Sequence, residues 1–193
     1  FFLSDGGYYW AASDIFDLAL TGDIYANGSW GVRASSNYRK RYKYSGSFNA
    51  QRITNLTSER DLPDFSKSND FSLTWSHRQD AKANPLQNFS ASVNYSTSSF
   101  DRNNVGSIIN PEILATNTKR SSISYSRQFP GTPFNLSANA LHSQNSRDTT
   151  INLTLPDLTV TMNRIYPFKQ KNRIGRERWY ETLSMSYTGN FKN

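Results

Sequence analysis

The sequence contains no cysteine. A disulfide framework, a thiolate zinc cluster and a cysteine nucleophile are therefore excluded for this chain. It also lacks any apolar run near the roughly 20 residues that a transmembrane helix requires. Glycine-rich phosphate loops, the HExxH zinc motif and the EF-hand pattern are missing as well. We therefore expect neither a cofactor nor a bound metal.

Hydrophobic and charged residues are both sparse, at 36% and 19% of the 193 residues. Much of the remainder is Ser, Thr and Asn, which are small, neutral and polar. Aromatic residues nevertheless make up 14% of the chain. Because disordered segments are poor in aromatic residues, this composition predicts a folded chain.

A strict alternation of apolar and polar residues runs through most of the chain. In the stretch 88–97, NFSASVNYST, odd positions are apolar up to Tyr95 and even positions are polar. A period of two puts the two classes on opposite faces of a β-strand. We predict ten such strands, the first at 16–26. The side chains predicted on the polar face include Arg33, Lys43, Asn49, Ser90, Ser92 and Asn94.

The alternation changes phase once, near Pro156 and Asp157. Apolar residues are odd-numbered over 150–155 and even-numbered over 158–165. A two-residue hairpin loop at 156–157 would explain this change, because residues that flank such a loop lie on one face of the sheet. We therefore predict two separate strands here.

With these strands, the connections alternate in length. The longer ones follow odd-numbered strands, and the shorter ones, such as 39–41 and 156–157, follow even-numbered strands. One rim with long loops and one with short turns is typical of an outer-membrane barrel. The longer connections are 27–29, 53–69, 99–119, 145–148 and 167–178.

The polar face consists mainly of Ser, Thr and Asn, whereas soluble sheets usually expose Lys, Glu, Arg and Asp. Aromatic residues such as Trp30 and Tyr38 lie near predicted strand ends, as in the aromatic girdles of membrane barrels. We therefore predict an all-β, antiparallel transmembrane β-barrel whose polar face lines a wet lumen. A soluble sandwich or solenoid stays open as an alternative, because amphipathic strands occur in both.

The formal net charge of +7 is concentrated in two short segments, 39–43 and 169–178. The second lies on the predicted long-loop rim, where the outer leaflet of a Gram-negative envelope carries lipopolysaccharide phosphates. Arg and Lys side chains make strong charge-assisted bonds to phosphate. We expect no nucleic-acid partner. The candidate lipopolysaccharide phosphate contacts are Lys169, Lys171, Arg173, Arg176 and Arg178.

No arrangement of residues indicates an enzyme. The two histidines, His77 and His142, follow the apolar parity of their strands and are expected at a membrane interface. Asp17 and Asp23 are six residues apart, so on a strand they stand about 20 Å from each other and cannot share acid–base work. We expect these carboxylates to pair across strands with Arg33 or Lys43.

Several segments resemble a known family. They are GGYYWAASDIFDLALTGDIYANGSWGVRASSNYRKRYKYSGSFN, HRQDAKANPLQNFSASVNY, GTPFNLSANALHSQN and LTLPDLTVTMNRIYPF. Together they resemble the lipopolysaccharide-assembly outer-membrane protein LptD (OstA) family, in its Bacteroidetes form. The segments occur in family order and cover most of the chain.

The resemblance implies a large barrel in the Gram-negative outer membrane, preceded by a periplasmic domain. It implies that the barrel passes lipopolysaccharide through its lumen and releases it between its first and last strands. The implied partners are lipopolysaccharide, a plug lipoprotein of the LptE type, periplasmic lipopolysaccharide bridge proteins and membrane lipid. Residues 1–14 would link a missing periplasmic domain to a partial barrel at 15–193. The first strand, the lateral-gate strand, would contain Asp17, Leu18, Leu20, Gly22, Asp23 and Ile24.

The sequence departs from some relatives, which place prolines in the first two strands and tie the periplasmic domain to the barrel with disulfides. Here the predicted first two strands lack proline and the chain lacks cysteine; Gly22 is an alternative weak point in the ladder. We expect the chain to be the N-terminal portion of a longer barrel. The alternatives are a small porin-like or adhesive outer-membrane barrel and a secreted soluble glycan-binding β-protein.

Overall fold

A computed structural model of the chain describes residues 1–58, 61–103, 118–169 and 178–192. These residues form one antiparallel sheet of ten strands, which confirms the predicted fold class. The only helical elements described are a short turn, α1 (Phe100–Asn103), and a 3₁₀ turn (Trp179–Thr182). The strands are β1 (Phe2–Ser13), β2 (Phe16–Tyr25), β3 (Trp30–Lys40), β4 (Tyr44–Thr57), β5 (Ser66–Gln79), β6 (Gln87–Ser96), β7 (Thr118–Gln128), β8 (Phe134–Asn145), β9 (Thr150–Ile165) and β10 (Met185–Lys192).

Each strand pairs with the next strand along the chain, so the spatial order is the sequence order. Within the described residues, β1 pairs only with β2 and β10 pairs only with β9. The sheet is therefore open and has two edges, as expected for part of a barrel. No helix in the described ranges is both long enough and apolar enough to cross a membrane.

The register keeps the two residue classes on opposite faces across the sheet. Side chains that pair in register share a face, while neighbours along a strand alternate between faces. One row of register partners is apolar: Tyr8, Leu20, Ala34, Ala50, Leu73 and Tyr95. The adjacent row on the other face is largely polar: Ala19, Ser35, Asn49, Thr74 and Asn94.

The sheet has no second layer over its apolar face among the residues described. The buried hydrophobic residues in the described part of the chain are Ile53, Ala91 and Phe100. In contrast, Val32 is 47% exposed and Leu20 is 44% exposed. A soluble sandwich buries its apolar faces against each other, so the described chain does not form one.

The strand that we predicted to be first is the second. Residues 2–13, expected to be a link, form β1, which pairs with β2 along nearly its whole length. The register shifts between Leu3 and Gly6, where Asp5 adopts a positive φ of 55°. This irregularity interrupts the alternation, which is why the sequence pattern did not indicate a strand.

The predicted hairpin at 156–157 was wrong. Residues 150–165 form one strand, and the register against β8 shifts between the pairs Asn139–Asp157 and Leu141–Thr154. One extra residue in β9 therefore forms a β-bulge at Pro156. Proline has no N–H group to donate and is tolerated at bulges. The bulge changes the phase of the alternation without reversing the chain.

This correction also reassigns the rims of the sheet. We call rim A the end that carries connections 14–15, 41–43, 80–86, 129–133 and 166–184. Rim B carries 26–29, 58–65, 97–117 and 146–149. Each rim has one long connection, so the predicted division into a long-loop rim and a short-turn rim was wrong. The segment 39–43 and the described ends of the second basic segment, Lys169 and Arg178, lie on the same rim, rim A.

Candidate functional site: the polar face and rim A

Four of the predicted polar-face residues lie together on the polar face in the structure. Asn49 pairs with Ser35 on one side and Thr74 on the other. Ser92 pairs with Ser76 and Ser122. Ser90 and Asn94 share its face in the same strand. The hydroxyl of Ser90 lies 3.4 Å from that of Ser124, and Asn94 N–H donates to Ser121 Oγ over 3.0 Å.

The polar face is hollowed near rim A by a cavity of about 1050 Å³. Its wall combines exposed cations with hydroxyl and amide groups and contains the carboxylate of Asp80. Such a surface can form many hydrogen bonds to sugars and charge-assisted bonds to phosphates. The polar lining includes Arg39, Arg41, Ser76, Arg78, Asn88, Ser90, Ser92 and Ser122.

Arg33 lies on the polar face, but its ionic partner differs from the expected ones. Its Nη1 is 3.3 Å from Asp5 Oδ1. The expected pairing of Asp17 and Asp23 with Arg33 or Lys43 does not occur among the described contacts. Lys43 lies in the exposed turn between β3 and β4 instead of on the polar face of a strand. The turn begins at position 41, so β4 starts after Lys43.

The two carboxylates of β2 accept hydrogen bonds from groups of β1 and β3. Asn37 N–H donates to Asp17 Oδ1 over 2.6 Å, and Tyr9 Oη donates to Asp17 Oδ2 over 3.3 Å. Asp5 N–H donates to Asp23 Oδ1 over 2.8 Å. These bonds hold β1 and β3 to β2 and do not form an acid–base pair.

The predicted lateral-gate residues lie in an interior strand. Leu18, Leu20, Gly22 and Ile24 share the apolar face of β2, which is paired with β1 on one side and β3 on the other. The free edge of the described sheet at its N-terminal end belongs to β1. A seam at this end of the sheet would therefore involve β1 first.

Two of the five candidate phosphate contacts are described, and both lie within the 166–184 connection on rim A. Lys169 Nζ lies 5.7 Å from the ring centre of Tyr166. Arg178 Nη1 donates to Tyr180 Oη over 3.1 Å. Lys171, Arg173 and Arg176 lie outside the described residues. The sequence pattern alone had placed this segment on the opposite rim from 39–43.

Sequence reasoning missed an aromatic cluster on the apolar face at the rim A end. Tyr38 Oη lies 2.9 Å from His77 Nδ1 and accepts a hydrogen bond from Trp75 Nε1 over 2.8 Å. The ring of Tyr44 stacks on His77 with centroids 5.8 Å apart, and the ring of Phe89 is tilted against His77 with centroids 5.4 Å apart. The alternation of residues along each strand had placed these rings on one face. Only the pairing register shows that rings from four different strands lie together.

A second missed cluster lies at rim B around Asp70, whose side chain is fully buried. Its carboxylate accepts hydrogen bonds from Thr97 Oγ1 over 3.2 Å, from Asn103 Nδ2 over 2.8 Å and from Ser99 Oγ. Asn55 Nδ2 donates to the carbonyl of Asn103 over 2.8 Å. This cluster fixes the start of the 97–117 connection to β4 and β5.

Neither histidine is part of a catalytic arrangement in the described structure. His142 Nδ1 is 3.3 Å from Ser121 Oγ, with no carboxylate hydrogen-bonded to either group. Throughout residues 1–58, 61–103, 118–169 and 178–192, no three His, Asp or Glu side chains are grouped so that they could hold a metal ion.

When the chain was compared with curated proteins and with solved structures, neither comparison gave a match. Comparison with protein-family models gave a match along the entire chain, residues 1–193, to the family described as LptD protein. The family resemblance of the quoted segments is thereby confirmed. A two-faced antiparallel sheet with open edges and a match over its full length identify the chain as a member of the LptD family.

Proposed function

We propose that this sheet is part of the wall of an outer-membrane barrel that delivers lipopolysaccharide to the outer leaflet. In this proposal the apolar face contacts lipid, and the polar face lines a wet lumen through which the saccharide passes. The activity is transport and breaks no covalent bond. Membership of the LptD family supports lipopolysaccharide as the substrate.

The observation that carries the proposal is the exposed apolar face of a single-layered sheet. In the row Tyr8, Leu20, Ala34, Ala50, Leu73 and Tyr95, the side chains have no covering layer among the residues described. In water, an uncovered face of this size would be strongly unfavourable, at roughly 25 cal/mol for each Å² of apolar surface. In a bilayer the same face is in its preferred solvent.

The spacing of aromatic residues on this face fits a bilayer. Trp30 and Tyr38 lie at opposite ends of β3, eight residues apart. Phe134 and His142 have the same separation on β8. Eight residues of a strand span about 27 Å, and a tilt of about 40° reduces the span across the membrane to roughly 20 Å. This is close to the apolar band of about 25 Å that outer-membrane barrels present between their aromatic girdles.

Among the described strands, β1 is paired on one side only. A strand edge with unpaired backbone groups cannot face hydrocarbon, so β1 needs another strand beside it in the membrane. Because β2 is paired on both sides, we do not propose the lateral gate at β2. A plug lipoprotein of the LptE type and periplasmic bridge proteins are the proposed partners, and we propose that the pore acts without enzymatic activity.

Single cysteines can test which face is wet, because residues 1–193 contain none and any cysteine elsewhere in the full-length protein can be replaced by serine. Ser92→Cys and Val93→Cys are adjacent in β6 but point to opposite faces. With the full-length protein in cells, a small charged maleimide should label Cys at 92. It should not label Cys at 93 until the membrane is dissolved with denaturant.

Equal labelling at both positions in intact membranes would overturn the barrel arrangement and favour a soluble sheet.

The transport step needs a separate experiment. Depletion of the full-length protein should prevent newly made lipopolysaccharide from reaching the cell surface, as measured by its modification with an externally added enzyme. Normal surface arrival during depletion would contradict the proposed function even if the labelling pattern holds.

A further inference from the structure

Two neighbouring turns on rim A converge around one tyrosine. Tyr42, in the turn between β3 and β4, lies beside Arg41 and beside Lys82 of the β5–β6 turn. The Arg41 guanidinium carbon is 5.2 Å from the Tyr42 ring centre, and Lys82 Nζ is 5.3 Å from it. Asp80 N–H donates to the Lys43 carbonyl over 2.8 Å and ties the two turns together. The two turns that carry the cations are thus joined by their backbones.

The conformation of Tyr42 is unusual for its residue type. Its φ is 60°, in the left-handed region that favours glycine or asparagine, and the residue is 53% exposed. An aromatic residue held in this region at an exposed turn is unfavourable by roughly 1 kcal/mol or more. Neither burial nor the turn itself requires a tyrosine here, which suggests a role in binding.

The positive charge around Tyr42 has little compensation. None of the four nearby basic side chains forms an ion pair with a described residue, and the carboxylate on these turns is that of Asp80. Asp80 Oδ1 accepts the backbone N–H of Lys82 over 2.9 Å and lies within the turn. The four basic residues are Lys40, Arg41, Lys43 and Lys82.

The cations adjoin the apolar-face aromatic cluster. Lys40 is the register partner of Tyr44, and Tyr38 lies two residues before Lys40 on β3. Cations next to an aromatic belt lie at the depth of lipid phosphates, where the aromatic rings contact the glycerol region and the upper acyl chains. The geometry points to a site for the anionic phosphate headgroup of a membrane lipid that lies against the outer wall of the barrel.

This site rests on the proposed membrane position of the apolar face. It adjoins the rim A end of the polar-face cavity, whose lining includes Arg41. Its occupant is a membrane lipid and not free phosphate, since the aromatic cluster offers a surface only to the apolar part of a lipid. A basic residue near an anionic membrane surface strengthens binding by about fivefold. Removing two cations should therefore weaken the preference for anionic lipid about 25-fold.

The test uses native mass spectrometry of the full-length protein released from micelles that contain equal amounts of phosphatidylglycerol and phosphatidylcholine. The wild type should retain phosphatidylglycerol preferentially. The double variant Arg41→Gln/Lys82→Gln should reduce the retained ratio about 25-fold. The rim B variant Lys67→Gln/Arg147→Gln removes the same charge from exposed positions and should leave the ratio unchanged.

Tyr42→Asn provides a variant that suits the left-handed backbone and removes only the ring. It should fold normally and lower the ratio severalfold. An unchanged ratio in both rim A variants, or an equal loss in the rim B control, would overturn the inference. Displacement of the lipid by millimolar inorganic phosphate would also overturn it, because the site would then bind free phosphate.

The outcome also separates this inference from the proposed function. If the wild type inserts into membranes but shows no preference for phosphatidylglycerol, the headgroup site is wrong and the barrel wall stands. If the wild type does not insert at all, the membrane position itself is wrong.

Discussion

The ring of Tyr38 lies directly against Gly46, its register partner in the adjacent strand. A Cβ atom at position 46 would lie 2.3 Å from ring atoms of Tyr38 and 2.4 Å from the carbonyl oxygen of Ser76. The absence of a side chain at Gly46 therefore allows Tyr38 to reach His77 and Trp75. The aromatic cluster depends on this one glycine.

Replacing Gly46 with alanine should disrupt the cluster. The methyl group has to displace both a ring and a backbone carbonyl, and overpacking of this kind destabilises proteins by about 1–3 kcal/mol. We expect a lower melting temperature, measured as the temperature at which the folded band disappears on a semi-native gel. Gly22→Ala is the control, because its Cβ would meet only Gly31 and Gly6 carbonyl oxygens at 3.6 and 3.8 Å. A similar loss in both variants would contradict the argument.

The bulge in β1 should depend on Asp23. Because Asp5 N–H donates to Asp23 Oδ1, Asp23→Ala leaves that group without its partner at the edge of the sheet. We expect amide exchange around Asp5 to accelerate by about fivefold. Asp17→Ala is a matched change in the same strand and should instead accelerate exchange at Asn37. Both rates are measured by hydrogen–deuterium exchange. If exchange rises at Asp5 and at Asn37 in both variants, the sheet has loosened generally, and the effect does not come from the Asp5–Asp23 hydrogen bond.

The Asp5–Arg33 ion pair should contribute much less than that hydrogen bond. Its side chains are 70% and 36% exposed, and exposed pairs typically contribute 0–1 kcal/mol. We expect Arg33→Gln to leave the unfolding temperature nearly unchanged. Exchange at Asp5 in this variant should also stay close to the wild-type rate. A large loss of stability would show that Arg33 has a partner beyond Asp5.

The alternation of residue classes predicts most strands because it depends only on sequence neighbours. In β6, Ser92 and Val93 point to opposite faces whatever the partner strand is. The same pattern cannot separate a bulge from a hairpin at Pro156, because both change the phase and only the register against β8 distinguishes them. The Asp70 cluster was unpredictable for a related reason: its carboxylate meets Asn103, 33 positions away.

Deletion of Pro156 tests the bulge directly. Without it, residues 150–155 and 158–165 share one phase, so β9 can pair with β8 in a regular register. We therefore expect the deletion variant to fold with a stability equal to or above that of the wild type. Deletion of Thr161 is the control, since it moves Met162 to the polar face and should prevent folding. The folded fraction on semi-native gels measures both. A Pro156 deletion that fails to fold would contradict the single-strand structure.

The start of the 97–117 connection should be released when Asp70 is replaced. Asp70→Ala leaves three donors, from Thr97, Ser99 and Asn103, without their acceptor. Each unsatisfied buried group is unfavourable by about 1–3 kcal/mol, but water reaches these groups once the segment detaches. We therefore expect a net loss of about 2 kcal/mol, equivalent to roughly 30-fold faster amide exchange across 97–103. Asp64→Ala removes an exposed carboxylate that is bonded to Ser58 Oγ, and it should leave exchange at 97–103 unchanged. If Asp70→Ala also leaves that exchange unchanged, residues 97–103 are held by other contacts. The position of this segment beside β5 then does not depend on the Asp70 carboxylate.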